Sequence, residues 1–358
     1  MSLKDRLKAE IRAGGPIGID RFMAACLYDS KHGYYATRPA LGEGGDFITA
    51  PMVSQMFGEL IGAWAVEVWR RLGRPARVLL AEVGPGDGSL MSDALRAARL
   101  DPGFLAAAEV WLVEVSAPLA SVQRARLGHA APKPRWATTL ADLPDDASLI
   151  LIANELLDCL PTRQFVRLEN GWAERAVGLD DAGELCFGLA PPGGDTPDAV
   201  AGLDVEVGQV AESSPAQYAL AADVAYRVMR QGGAALLIDY GDEAAAGDTL
   251  QALKAHAKLG PLETPGQADL TVHADFRAIR AAALDEGANL ALVEQRTFLH
   301  RLGIEARAAA LATARPDQAP VIARQLARLT DADQMGRLFK AACLHPPGPP
   351  PPGFEDLP

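Results

Sequence analysis

The stretch RVLLAEVGPGDGSLMSDALRAARL, residues 77–100, decides the fold. Its opening segment up to Val83 is an apolar run broken only by Glu82, the kind of strand that a parallel sheet buries on both faces. Gly84, Gly86 and Gly88 follow, alternating with Pro85 and Asp87, and SLMSDALRAARL then reads as a helix. Glycines there permit a tight turn and close approach of the backbone to a ligand, while the helix start offers free N–H groups.

A dinucleotide fingerprint, G-x-G-x-x-G, would need glycine where this chain has Ser89. The spacing is instead G-x-G-x-G after an acidic residue, the arrangement seen where S-adenosyl-L-methionine (SAM) is bound. Charge separates the two cases. A pyrophosphate needs positive potential, whereas SAM carries a sulfonium and an ammonium beside its carboxylate. Glu82 suits the second and opposes the first.

Outward from this turn, strands and helices alternate. EVWLVEV (109–115) is a second strand, APLASVQRARLG (117–128) a helix, a short strand lies near Trp136, and SLILIAN (148–154) is again a buried strand. A helix near 216–231, a strand AALLIDY (234–240), a late strand NLALVEQ and a final strand within 337–344 continue the pattern. The alternation predicts an α/β fold with a doubly wound, Rossmann-like parallel sheet. PMVSQMFGELIGAWAVEVWRRLG (51–73) reads as one long helix with Pro51 in its first turn. Helices at 2–12 and 19–28 precede it, so residues 1–72 form a helical N-terminal cap and lid before a core of 73–358. Insertions are expected at about 160–215 and 241–288: a β-hairpin turning at Asn170-Gly171, a Pro- and Gly-rich surface stretch over 180–215, and an irregular segment to about 268. The tail HPPGPPPPGFEDLP reads as a spacer or packed surface tail.

Composition narrows the function. Of 358 residues, 49% are apolar and 22% charged, enough to bury a large core. The net charge is 34 − 46 = −12 and the pI about 5.0, which argues against nucleic acid and against anionic membrane surfaces. Cys26, Cys159, Cys186 and Cys343 are scattered with no C-x-x-C pair, and the six histidines show no metal-ligand spacing, so no metal is expected. The start MSLKDRLKAEIRAGG lacks a signal peptide's apolar centre, no apolar run spans a bilayer, and the expected location is the cytoplasm. An oligomer is compatible with the sequence. P-loop, H-E-x-x-H and G-x-S-x-G motifs are missing from it.

The candidate site lies at the carboxyl ends of the strands, where open α/β sheets bind ligands. Glu114 ends the second strand, where an acidic group accepts hydrogen bonds from ribose hydroxyls; its plainer alternative is a surface carboxylate. Asn154, Glu155 and Asp158 follow SLILIAN, and two carboxylates three residues apart can share one cationic guest. Asp158 could equally cap a helix. Asp239, at the end of strand 234–240, lies along the same crevice or serves the turn before Gly241.

With these residues in place, the chain resembles the MidA family of SAM-dependent methyltransferases, whose mitochondrial members are protein arginine methyltransferases that assist complex I assembly. The resemblance spans nearly the whole chain through GYY (33–35), GDFITAPMVSQMFGELIGAW (45–64), EVGPGDGSLM (82–91), ANELLDCLPTRQF (153–165), LLIDYG (236–241), PGQADLTVHADF (265–276), QRTFLHRLGI (295–304) and MGRLFKA (335–341). Cys159 and Thr162 depart from the small or apolar neighbours of the family pattern, leaving the acidic pair intact. The resemblance implies a class I methyltransferase fold with SAM as cofactor. It places Glu82, Gly84, Gly86, Gly88 and Glu114 at the cofactor, with Phe47, Thr49, Ser54 and Gln55 in an N-terminal motif that would lid it. Phe47 could instead pack beneath its loop, and Thr49 could cap the helix begun by Pro51. Asn154, Glu155 and Asp158 become the catalytic candidates, Glu155 first, for in-line methyl transfer to an arginine of a protein substrate. The expected partner is the quinone-module subunit of complex I. Two other readings stay open: a non-catalytic assembly chaperone that keeps a SAM fold, and an NAD-dependent oxidoreductase, which Ser89 disfavours.

Overall fold

A computed structural model describes residues 1–37, 49–190, 195–243 and 247–355. Its central sheet contains β1 (Val78–Val83), β2 (Ala108–Val113), β3 (Arg135–Ala137), β4 (Ser148–Asn154), β5 (Gly233–Asp242), β6 (Asn289–Glu294) and β7 (Phe339–His345). Their order is β3-β2-β1-β4-β5-β7-β6. The first five strands pair in parallel, and β7 is antiparallel to both β5 and β6. This is the expected α/β sheet with a Rossmann-like core, mixed at one edge. Strand order reverses between β1 and β4, which sets a crevice at their carboxyl ends.

Period-two alternation fills both faces of this sheet. Val78, Leu80, Ile150, Ile152, Leu236 and Ile238 point into one apolar core with the helices Gln55–Arg71 and Ser89–Ala98. Leu79, Ala81, Leu149, Leu151, Ala235 and Leu237 point into a second core, covered by Pro215–Gln231 and Phe276–Asp285. The sheet is therefore buried on both sides, as its unbroken apolar runs require.

The long helix expected over 51–73 is interrupted. Ser54 is extended, with φ −161° and ψ 139°, and its hydroxyl accepts from Met56 N, so Ala50–Val53 is a separate turn and Gln55–Arg71 the helix proper. A polar N-cap outweighed an apolar periodicity that ran through it.

The insertions hold more structure than their composition suggested. Arg163–Leu168 and Gly171–Leu179 form the hairpin, but Leu168 pairs with Gly171, so the turn is Glu169-Asn170, one residue earlier than expected. The stretch 180–215 is not only surface loop: Leu185–Leu189 and Val210–Ser213 add two strands to the hairpin. The segment expected to be irregular to about 268 carries antiparallel strands Gln251–Lys254 and Ala257–Leu259, and Asp269–Thr271 just beyond it pairs antiparallel with the first. These short strands carry too little periodicity to stand out from turn residues. Both small sheets pack with the helices Leu3–Gly14 and Ile19–Tyr28 in a third core that includes Leu7, Phe22, Met23, Val177 and Leu270. The proline-rich tail folds back, burying Phe354 against Phe298, 5.1 Å between ring centroids.

Candidate functional site

The turn after β1 is built as its glycines require. Gly84, Gly86 and Gly88 have φ of +65°, +55° and +81°, conformations that cost an L side chain energy. A Cβ at Gly84 would come within 2.8 Å of Leu156 Cδ1, so glycine there also preserves the close approach of the turn to the loop after β4. Gly88 opens the helix Ser89–Ala98, and Asp87 caps it by accepting from Ser89 N at 2.9 Å.

A cavity of about 370 Å³ occupies the crevice. Glu82, Gly84, Gly86, Glu114, Thr49, Asn154, Glu155 and Asp158 line it, so most of the residues singled out in the sequence share one space. Three do not. Gly88 stands back as the helix start, Ser54 is buried as a helix cap, and Gln55 is exposed on the helix that Ser54 begins. The structure thus contradicts a lining position for Ser54 and Gln55; cap geometry turns one into its helix and the other to solvent. Phe47 lies outside the described residues.

The carboxylates at the ends of β1 and β2 differ in how they are held. Glu114 accepts from Ser116 N at 2.7 Å and from Gln123 Nε2 at 2.9 Å. Burial raises its proton affinity and these donors hold it down. Gln123, itself fully buried, also donates to the Gly86 carbonyl at 2.8 Å and accepts from Trp136 Nε1 at 3.0 Å. It ties the glycine turn, Glu114 and β3 into one network. Glu82 has fewer partners: Oε2 is buried with none among the described residues, and burial followed by the charges of Asp87 and Glu114 pushes its proton affinity well up.

The other end of the cavity belongs to the loop after β4. Glu155 takes φ +52°, a left-handed conformation that a non-glycine residue adopts at a cost of order 1–3 kcal/mol. Its Oε1 accepts from Ala50 N at 2.8 Å and from Asn154 Nδ2 at 3.0 Å, while Asn154 Oδ1 is buried without a partner among the described residues. Burial, reinforced by the Asp158 charge, pushes the Glu155 carboxyl up to about 7. Burial likewise pushes Asp158 up to about 6. Asp158 belongs to a one-turn helix, Leu157–Cys159.

The wall opposite is formed by residues with no distinguishing pattern in the sequence. Tyr28 and Tyr35 stack at 5.9 Å between centroids and line the cavity together with Asp269, whose carboxylate accepts from Tyr35 Oη at 3.0 Å. Tyr28 Oη donates to the Cys159 carbonyl at 2.8 Å, and Ser116 Oγ donates to the Tyr35 carbonyl at 2.7 Å. These contacts fasten the N-terminal helices to both ends of the cavity. GYY at 33–35 was visible as a motif but carried no chemistry of its own. Gln123 did leave a signal: it occupies an inward i+4 position between Leu119 and Leu127, where an apolar residue belongs.

The cavity combines a close-packed glycine turn, acceptors without donors at Glu82 and Asn154, and clustered carboxyls at its far end. It is suited to a guest that brings donors and positive charge. Comparison with known proteins agrees. Residues 60–293 match a family model described as S-adenosyl-L-methionine-dependent methyltransferase. The mitochondrial protein arginine methyltransferase NDUFAF7 of Danio rerio is 34% identical, over 95% of this chain and 86% of its own. The Drosophila melanogaster homologue, carrying the same designation, is 35% identical over 96% and 85%. A crystal structure of a Burkholderia thailandensis protein bound to S-adenosyl-homocysteine superposes with a TM-score of 0.86 at 30% identity, covering 99% of this chain and 92% of that one.

One expectation is overturned. The cytoplasmic location read from the sequence does not stand against curated relatives that are named as mitochondrial. Free cysteines suit any reducing aqueous compartment, and among the described residues no helix is long and apolar enough to cross a membrane. Neither feature distinguishes one such compartment from another.

Proposed function

Because this chain belongs to the family of S-adenosyl-L-methionine-dependent methyltransferases, we propose that its methyl acceptor is an arginine of a protein substrate, held by Glu155 and Asp158. The observation that carries this reading is the pairing of two carboxyls, half-buried Glu155 and buried Asp158, on one cavity wall with no ion pair to either among the described residues. A guanidinium brings planar donors and a permanent charge that suit such a pair.

The residues present fit the cofactor. Glu82 Oε2 and Asn154 Oδ1 are buried acceptors awaiting donors, and the positive-φ turn at Gly84 and Gly86 presents side-chain-free backbone to the cavity. Glu82 would hold the ammonium of SAM and Glu114 its ribose hydroxyls, with Thr49 covering it. When bound, SAM supplies a methyl group already activated on a sulfonium. The protein's remaining work is alignment, which alone can contribute roughly 7–11 kcal/mol. Asn154 fixes the Glu155 carboxyl by donating to it. Glu155 orients the guanidinium, draws its charge away from the attacking nitrogen and takes up one Nη proton. A carboxyl near 7 is matched to that task at neutral pH. Asp158 shares the remaining charge. The names of the relatives support arginine as the acceptor; the family resemblance supports the quinone-module subunit of respiratory complex I as the substrate.

The test is transfer of labelled methyl from SAM to that subunit, with the modified residue found by mass spectrometry. We expect label on arginine. Glu155→Gln should lower kcat by roughly 10²–10⁴, the usual contribution of a general base, while calorimetry shows S-adenosyl-homocysteine binding unchanged. Label on another residue type, or full turnover in the variant, would overturn the assignment.

A further inference from the structure

Asp239 is fully buried three residues before the end of β5 and does not line the cavity. Its Oδ2 accepts two backbone N–H groups from the loop after β4, Leu157 N at 2.8 Å and Asp158 N at 3.1 Å. Its Oδ1 accepts from Tyr240 N at 2.8 Å. The first N–H groups of any helical turn lack partners within it, and a turn as short as Leu157–Cys159 must find them elsewhere. Asp239 supplies that cap from a neighbouring strand. The carbonyls of the same turn are held by other groups: Gln217 Nε2 donates to Leu157 O at 2.9 Å, and Val272 N to Asp158 O at 2.9 Å. One residue back, Glu155 N donates to Ile238 O at 2.8 Å. Both acidic residues of the loop are therefore hung from the end of β5, Glu155 by a backbone carbonyl and Asp158 by a side chain.

We infer that Asp239 is a positioning residue for methyl transfer: it fixes Asp158 at the cavity wall by capping the turn that carries it, without touching substrate or cofactor. The inference rests on the reading above that Asp158 faces the acceptor. A side chain that accepts no hydrogen bond would leave two buried N–H groups unpaired and free the turn to move. Asparagine keeps an acceptor oxygen at the same place.

The experiment compares Asp239→Ala, Asp239→Asn, Asp158→Asn and the Asp158→Asn/Asp239→Ala double variant in the full chain. The readouts are labelled methyl transfer to the quinone-module subunit, S-adenosyl-homocysteine affinity, and amide exchange across residues 156–160. Asp239→Ala should cut kcat/KM by about ten- to a hundredfold and speed exchange in the turn, with S-adenosyl-homocysteine affinity held within about twofold. Asp239→Asn should recover transfer to within about threefold. In the Asp158→Asn background, Asp239→Ala should cost nothing further, because both changes remove the same interaction. Equal losses of transfer and cofactor affinity, no recovery by asparagine, or additive effects would each overturn the inference. If Asp158→Asn is itself silent in transfer, the substrate-facing reading of Asp158 fails first, and the inference falls with it.

Discussion

Glu59 and Glu82 are buried carboxylates at 7% and 2% exposure, and their surroundings could hardly differ more. Glu59, on the helix Gln55–Arg71, meets Arg307 in a two-pronged contact at 2.7 and 2.9 Å and Arg96 at 3.1 Å. Glu82 meets no cation, and one of its oxygens has no partner among the described residues. Glu155 and Asp158 likewise form no ion pair among the described residues, and burial raises the proton affinity of both, with the Asp158 charge adding to it at Glu155. A carboxylate removed from water must find compensation. Where the chain supplies it, the acid is architecture, clamping three helices together. Where the chain withholds it around a cavity, the compensation has to arrive with a ligand.

Breaking the partnered side should give the largest effect. Replacing Arg96 and Arg307 together with Met would strand the Glu59 carboxylate and is expected to cost about 3 kcal/mol of stability, the low end for a broken buried pair because both guanidiniums are more than a third exposed. Denaturant unfolding measures this. Methyl transfer per folded molecule should be unchanged, and a selective loss of activity would mean that Glu59 serves the site as well as the fold.

The unpartnered side is tested through its ligand. Glu82→Gln keeps the shape but removes the charge, and should weaken SAM binding by roughly ten- to a hundredfold, about 1.4–2.8 kcal/mol. Because the neutral side chain no longer pays for burial, the unliganded variant should melt no lower than the parent. Calorimetry showing undiminished affinity would take the cofactor role away from Glu82.

The same contrast explains what could be read in the sequence. Continuous apolar runs announced the sheet because burial on both faces leaves β1, β4 and β5 almost wholly apolar ahead of Glu82, Asn154 and Asp239 towards their carboxyl ends. Three glycines in five positions announced the turn, since each adopts positive φ. Glu82, Glu114, Asn154 and Glu155 were legible because strand ends are where an open sheet binds, so position alone gave them meaning. The opposite wall was not legible. Tyr28, Tyr35 and Asp269 reach the cavity only through tertiary packing of the N-terminal helices against inserted strands, a relation among segments more than 230 positions apart. Nor could Asp239 be separated from an ordinary turn residue, because its role lies in two N–H groups 81 and 82 positions away. The break at Ser54 shows the converse, a local cap overriding a longer-range apolar pattern.

Titration sharpens the comparison at a smaller scale. As the proposed base, Glu155 must be ionised to take a proton, and its carboxyl sits near 7 before any cation binds. The profile of kcat/KM reports the free enzyme, so it should fall about tenfold for each pH unit below about 7, with Asp158 adding to the slope near 6. In kcat the limb should move to lower pH, because a bound cation favours the charged carboxylate. A kcat/KM flat down to pH 5.5 would remove Glu155 as the base.

The smallest expected effect is on stability, and its sign is opposite to that of most substitutions. A carboxyl whose folded pKa lies above its ordinary value holds its proton more tightly in the fold than in the unfolded chain. Folding stability is then lost as pH rises from the ordinary value, near 4.5, through about 7. Above that window Glu155 is ionised, half-buried and a net cost. Glutamine has no charge to bury and keeps an oxygen to accept from Ala50 N, so Glu155→Gln should stabilise the unliganded protein by about 1 kcal/mol at pH 7.5. The gain should vanish below about pH 4.5, where glutamate is protonated as well. Thermal melts of both proteins at the two pH values decide it. A variant less stable than the parent at pH 7.5 would mean that Glu155 is held in place for the fold, like Glu59, and not at the expense of it.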